Sequence, residues 1–293
     1  MLLTIIILNY KRAELTSACL ASLYEQFAKE FSNNHMEIIL IDNASSDDSV
    51  ERLQETIKVK HYSNCHLIEN KQNDGFSKGV NKGAEKAKGQ YYLFLNNDTV
   101  VKDKGIWDMV QYMEKHPEAS ILGGKLSNDD GTDQPSVGKF YTPTQATLLM
   151  LGLQRYSLID KNPEQISEVD WVKGGLLMIR CEVFKKLHGF DENIFMYTED
   201  MELCYRAKKK GYKIYFYPAI KVLHEETGSS NRTFAIVNIY TNLLYFYKKH
   251  RTHGEYLYLK SLLRAKAVAL MGIGRLLGNS YLVQTYEKAF KVT

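Results

Sequence analysis

The feature that most constrains this chain is the alternation of short apolar runs with helical stretches through its first half. Leu2 to Leu8 reads as a buried strand, followed by a helical stretch from Ala13 to about Phe31. A second strand, Glu37 to Ile41, ends at Asp42, and the run from Asn43 to Asp47 offers N-cap residues for a helix to about Ile57. Cys65 to Glu69, a helix from Phe76 to Lys88, and the strand Tyr91 to Leu95 continue the pattern. Such an order predicts a mostly parallel sheet with helices on its faces. Ligands of open parallel sheets bind beyond the carboxyl ends of the strands. Asn9, Tyr10, Asp42, the run Asn70 to Gly75, and Asn96 to Asp98 all fall at such ends.

Beyond Ser127 the periodicity weakens. Dense turn signals and most of the five prolines predict an irregular stretch to Asp170. Order is expected again at Leu176 to Arg180, in a helix from Glu182 to Leu187 stopped by Gly189, and in a helix after Thr198 that closes at Gly211. Strands are expected at Tyr212 to Tyr217 and Val222 to His224.

Composition excludes several classes. With 44% hydrophobic and 25% charged residues, the 293-residue chain suits one globular domain with an appendage. Its four cysteines lack disulfide or zinc spacing, which points to a reducing, cytoplasmic setting. The amino terminus does not read as a signal peptide, and no apolar run approaches the roughly 18 residues of a membrane span. The net charge of +4 is uneven. Residues 227–293 hold ten Lys/Arg against two Asp/Glu, or +8, which leaves −4 for residues 1–226.

Several residue sets could carry chemistry, and each has a plainer reading. Asp98 at a strand end could bind a hard divalent cation, or Asn96, Asn97 and Asp98 could simply form a turn. Asp42 could accept hydrogen bonds from a nucleoside or merely cap a helix. Asn73, Gly75, Phe76 and Asn81 could let a backbone approach a ligand, without P-loop or dinucleotide spacing, or form a plain glycine-containing loop. Glu199 and Asp200 could supply a general base, or serve as ordinary first-turn acids. His224 could be a metal ligand or structural. Trp171 with Gly174 and Gly175 could form a sugar platform, or Trp171 could belong to the core.

Taken in order, NYKR, IDNASSDDS, ENKQNDGFSKGVNKG, FLNNDT, WVKGG, FDENIFMYTEDMELCYRAKKKGY and PAIKVLHEETGSS resemble the family-two inverting glycosyltransferases of the GT-A fold. Bacterial rhamnosyltransferases of cell-surface glycan synthesis are similar. The resemblance covers about residues 1–230. It implies a GT-A domain over 1–226, with its donor side at about 1–126 and its acceptor side at about 127–226. Leu8, Asn9, Tyr10, Arg12 and Asp42 would surround the nucleoside, and Asn73, Gly75, Phe76 and Asn81 would line the donor pocket. Asn97 would face the ribose. Asp98 would bind the cation, manganese or magnesium, with Asn96 standing where many members have Asp, so that His224 becomes the second ligand. Asp200 would be the base, with Glu199 beside it, and Trp171, Gly174 and Gly175 would shape the acceptor side.

The implied partners are a dTDP- or UDP-sugar and a glycan or lipid-linked acceptor, with no nucleic acid. Residues 227–293 form a basic helical extension, with Ile236, Tyr240, Leu243 and Tyr247 on one helical face and a repeat of the pattern over Tyr256 to Leu277. That extension either packs on the catalytic domain or contacts the inner face of the cell membrane peripherally. A homodimer is left open. The rival functions are a nucleotide-sugar hydrolase or nucleotidyltransferase, and a carbohydrate-binding protein without catalysis. A nucleotidyltransferase is disfavoured because no glycine-rich basic loop follows the first strand.

Overall fold

The computed structural model describes residues 1–150, 161–225 and 231–293. The expected irregular stretch and the start of the basic extension therefore lie partly outside the described residues. Two compact units are present. One comprises Met1–Gly138, Lys161–Phe195 and Glu199–Ser229; the other comprises Lys139–Asp160, Met196–Thr198 and Ser230–Thr293.

Among the described residues the first unit is built on a sheet of nine strands. In chain order these are β1 (Leu3–Asn9), β2 (Met36–Asp42), β3 (Cys65–Glu69), β4 (Tyr91–Leu95), β5 (Thr99–Val101), β6 (Ala119–Ser127), β8 (Ser167–Glu168), β10 (Leu176–Arg180) and β11 (Lys213–His224). Their spatial order is β3-β2-β1-β4-β10-β6-β11-β5, with β8 also on β11. The first four are parallel, as their unbroken apolar runs require: a parallel strand covered by helices on both faces has no solvent side to alternate toward. Ile5, Ile7, Ile38 and Leu40 are fully buried, each contributing on the order of 1.5–3 kcal/mol. Helices α1 (Ala13–Ser32), α2 (Ser49–Val59), α3 (Gly75–Ala84) and α4 (Gly105–Lys115) connect the early strands. Two short strands pair separately, β7 (Val137–Gly138) inside the stretch whose sequence reads as irregular and β9 (Trp171–Val172) just beyond its end.

Two strand expectations are revised by pairing. The runs around Tyr212 to Tyr217 and Val222 to His224 are one strand, β11, whose register on β6 shifts between Tyr217 and Lys221. Pro218 sits in that shift; it lacks an N–H and is tolerated where the ladder is interrupted. Beyond the shift β11 runs antiparallel to β5, pairing His224 with Thr99. The helices α6 (Cys181–Lys186) and α7 (Glu199–Lys209) follow the later strands. Buried Glu202 bonds Arg206, whose guanidinium donates to the carbonyls of Leu187 and Gly189, fixing α7 against the end of α6.

The second unit is helical, with α5 (Pro143–Met150), α8 (Arg232–His250), α9 (His253–Leu276) and α10 (Ser280–Lys291). Asn231, Thr252 and Asn279 cap the last three through their side chains, and Thr252 with Glu255 completes a capping box. The sequence patterns at 234–247 and 256–277 mark α8 and α9; α10 was not anticipated. Residues 139–150, expected on the acceptor side, cluster with these helices. Tyr247 donates from its hydroxyl to the Tyr141 carbonyl at 2.9 Å, and Thr147 and Tyr258 meet through their hydroxyls at 2.7 Å.

Candidate active site

The parallel sheet brings the polar ends of β1, β2 and β4 together, and one hydrogen-bond chain links them. Asn97 donates to the Thr16 hydroxyl at 2.9 Å, which donates to Asn9 Oδ1 at 2.8 Å, and Asn9 Nδ2 donates to Asp42 Oδ1 at 2.7 Å. Ser45 closes it, its hydroxyl donating to Asp42 Oδ1 at 2.7 Å and its N–H to Oδ2 at 2.8 Å. Asn9 is fully buried and Asp42 is 1% exposed. These two side chains hold the strand ends of β1 and β2 together. Thr16 and Ser45 carry this chain with them, and no sequence signal separates Thr16 from any other helical threonine.

The loop before α3 is ordered in the same way. Buried Asn43 donates to Asn73 Oδ1 at 2.8 Å and to the Gly75 carbonyl at 3.1 Å, and accepts from Asn70. Gly75 has φ +86°, and a Cβ there would overlap the Phe195 carbonyl oxygen. That same oxygen accepts the Phe76 N–H at 2.6 Å. Only glycine suits both conditions. Leu8 packs its side chain against Gly79 of α3. Tyr10 is half-buried and Arg12 exposed at the start of α1.

Two residues expected at the ligand take other tasks. Asn81 spends its amide on the Phe190 backbone, donating to the carbonyl and accepting from the N–H at 2.9 Å each, because the segment before α7 passes over α3 here. Trp171 is 7% exposed with its ring against Gly138, so it fills the core between β7 and β9 and offers no open sugar platform.

The other residues converge. Antiparallel pairing of β11 with β5 places His224 beside Asp98, with Nε2 3.3 Å from Oδ1, although they are 126 positions apart. Gln134, which the sequence reading missed, fixes the imidazole. Its amide nitrogen donates to Asn128 Oδ1 at 2.7 Å and to the His224 carbonyl at 3.0 Å, so its oxygen faces His224 Nδ1 at 2.8 Å. Nδ1 therefore carries the proton, and the Nε2 lone pair points at Asn96 Nδ2, 3.0 Å away, and at Asp98. Asp98 Oδ1 is buried and accepts no hydrogen bond among the described residues. Two electron-pair donors thus face each other with no proton between them, which is the arrangement a bound cation relieves. An imidazole whose second nitrogen donates to a fixed acceptor is also the usual form of a histidine ligand. The pair fits a divalent cation. The described residues bring no third acidic, His or Cys group to it, so substrate oxygens and water would complete the shell.

The acid pair joins the same neighbourhood through the backbone. The Asn96 N–H donates to the Gly175 carbonyl at 3.2 Å, and the adjoining Gly174 N–H donates to Asp200 Oδ2 at 2.9 Å. Met201 N–H donates to Asp200 Oδ1 at 2.7 Å. Burial, followed by the neighbouring Asp200 charge, raises the Glu199 carboxyl to about 8. Burial also raises Asp200, but two backbone N–H bonds and the Lys173 charge oppose it. Asp200, held by two backbone N–H donors, is the member of the pair placed to carry negative charge. Environments that separate two carboxyls in this way assign acid and base roles.

Comparison with known proteins agrees with this architecture. The description Glycosyl transferase family 2 matches residues 4–187, more than half of the chain, and a second, N-terminal domain of galactosyltransferase, matches residues 160–230. The chain belongs to glycosyl transferase family 2, and its fold is the α/β GT-A type. Within that family it is similar to the rhamnosyltransferase WbbL of Escherichia coli (strain K12), 29% identical over 150 residues, covering 50% of this chain and 56% of that protein. It thus spans about half the length of that relative. It is also similar to the N-acetylglucosaminyl-diphospho-decaprenol L-rhamnosyltransferase of Mycobacterium tuberculosis, 25% identical over 217 residues, covering 67% of this chain and 69% of the other. Among solved structures, the mannosyltransferase PcManGT from Pyrobaculum calidifontis, in complex with GDP-Man and Mn2+, superposes with a TM-score of 0.61 at 15% identity, covering 99% of this chain and 85% of that one.

Proposed function

We propose that this protein transfers a sugar, rhamnose in preference to other hexoses, from a nucleoside-diphosphate donor to a hydroxyl of a glycan or lipid-linked acceptor, with inversion at the anomeric carbon. The observation that carries the reading is the continuous path Asp98, His224, Asn96, Gly175, Gly174, Asp200, which joins a cation-fitting pair to an acid pair of separated ionisation. The names of the rhamnosyltransferase relatives favour the sugar.

Asp200 takes the proton of the acceptor hydroxyl, held for that role by the Gly174 and Met201 N–H groups. The hydroxyl oxygen forms its bond to the anomeric carbon as the bond to the diphosphate oxygen breaks on the opposite face. Protonated Glu199 leaves the charge of the pair on Asp200. A divalent cation held by Asp98 and His224 would neutralise charge on the departing diphosphate. The order imposed by Asn43, Asn73 and Gly75 shapes the donor side within about residues 1–126, and Gly174 with Gly175 shapes the acceptor side within about residues 127–226. Residues 227–293 act as a separate basic helical extension with peripheral membrane contact.

The test is release of nucleoside diphosphate from dTDP-rhamnose and other nucleotide sugars with manganese or magnesium, with and without acceptor. Acceptor-dependent release is expected. Equal release without acceptor would make the protein a hydrolase. Asp200→Asn should lower turnover by at least about 100-fold, as for loss of a general base; near-normal turnover removes Asp200 from that role.

A further inference from the structure

Helix α9 presents an apolar face to solvent on the side opposite its packed face. Leu259, Leu263, Ala267 and Gly274 are buried and share one side at helical spacing. On the other side Leu257 and Val268 are about half exposed, and Leu276 at the carboxyl end is 89% exposed. An isolated exposed leucine needs no explanation, but a stripe along one helix does. From Tyr256 to Tyr286 the chain has no Asp or Glu and four basic residues: Lys260, Arg264, Lys266 and Arg275. Leu257, Arg264, Val268 and Arg275 fall on nearly one line of the helix at 100° per residue. Among the described residues no helix is long and apolar enough to cross a membrane.

We propose that this face of α9 lies in the interfacial plane of a bilayer containing anionic lipid, with Leu257, Val268 and Leu276 entering the acyl boundary and Arg275 meeting headgroup phosphates. The alternative occupant, a second copy of the chain, is opposed by charge. Two-fold association sets a patch against itself, and residues 227–293 carry ten Lys/Arg and two Asp/Glu, so it would bring two +8 segments together. An anionic surface instead complements both the exposed apolar residues and the basic residues interleaved with them. At about 1.5 Å per residue the 24-residue helix is about 36 Å long, which suits a helix lying on a surface. This placement deepens the lipid-linked acceptor reading, yet its test is independent of transfer.

The full chain is sedimented with vesicles of phosphatidylcholine alone and of phosphatidylcholine with phosphatidylglycerol, at low and high salt, beside analytical ultracentrifugation of the protein alone. Binding is expected on the anionic vesicles only and should weaken as salt rises. The double substitution Val268→Glu and Leu276→Glu should reduce partitioning at least tenfold. Arg275→Gln, which leaves the apolar stripe intact, should reduce it about fivefold at low salt. No binding to anionic vesicles at low salt, wild-type binding by both variants, or a wild-type dimer that the double substitution dissociates would each overturn the proposal. Diphosphate release with a water-soluble acceptor should be unchanged in Arg275→Gln. If wild type shows no such release, the transfer reading fails while the vesicle result still decides this one.

Discussion

Replacing Gln134 tests whether His224 is held as a cation ligand. In Gln134→Leu the Nδ1–H loses the oxygen that faces it at 2.8 Å, and the tautomer with its Nε2 lone pair toward Asp98 is no longer enforced. Removing the hydrogen-bond partner of a ligating histidine costs about 10–100-fold in metal affinity, equivalent to roughly 1.4–2.7 kcal/mol. The same substitution leaves the His224 carbonyl without its 3.0 Å donor, a stability cost of about 1–3 kcal/mol. Gln134→Glu separates the two effects, because it keeps an acceptor at Nδ1 while losing the donor to the carbonyl. Titration calorimetry with Mn2+ in the presence of a nucleoside diphosphate, compared with thermal unfolding, reads both. Gln134→Leu should weaken cation binding by 10-fold or more, as a rough figure, and Gln134→Glu by only a few-fold at comparable stability. Wild-type Mn2+ affinity in Gln134→Leu would refute the tautomer argument.

Glu199 gives a stability signature with a definite sign. Its folded-state value of about 8 lies above the 4.5 of an ordinary glutamate, so the native state binds more protons than the unfolded state across that interval, and stability falls as pH rises through it. Glu199→Gln should flatten this decline in a melting-temperature series from pH 5 to 9, as an approximate window; parallel wild-type and variant curves would remove the assignment. Gly75→Ala should destabilise by about 2 kcal/mol or more, lowering Tm by roughly 4–8 °C, because both φ +86° and the Phe195 carbonyl oppose a Cβ; an unchanged melting curve contradicts this. Within the second unit Asn242 donates to the carbonyls of Met196 and Tyr197, at 2.8 Å and 3.0 Å, and the chain takes positive φ at Tyr197 and Thr198 before reaching Glu199. Asn242→Ala should therefore release a strained turn and lower kcat about tenfold with donor KM nearly unchanged. A matched rise in KM with unaltered kcat counts against a positioning role.

The parallel half of the sheet was legible because its signal is local. Runs such as Leu3 to Ile7 are apolar without alternation, and a strand covered on both faces tolerates little else. Polar residues at the ends of β1, β2 and β4 were legible for the same reason, since each follows directly on a buried run. The division of labour among them was not. Whether Asn9 and Asp42 face a ligand or each other depends on parallel register, which sets Asn9 against Asp42. The family resemblance implies ligand-side roles for Asn81 and Trp171, whereas the Phe190 backbone and Gly138 decide where they point.

The sequence by itself determined that short buried strands would form a parallel sheet, that their polar ends would gather at one edge, and that a basic helical segment would follow. These properties depend on side chains a few positions apart, where hydrophobic periodicity and capping act. Tertiary structure alone decided that His224 meets Asp98, that Gln134 selects its tautomer, and that Gly174 holds Asp200. Each of those contacts spans between 26 and 126 positions and depends on which strands pair and in what register, and that choice is made by burial of the whole core rather than by the residues in contact.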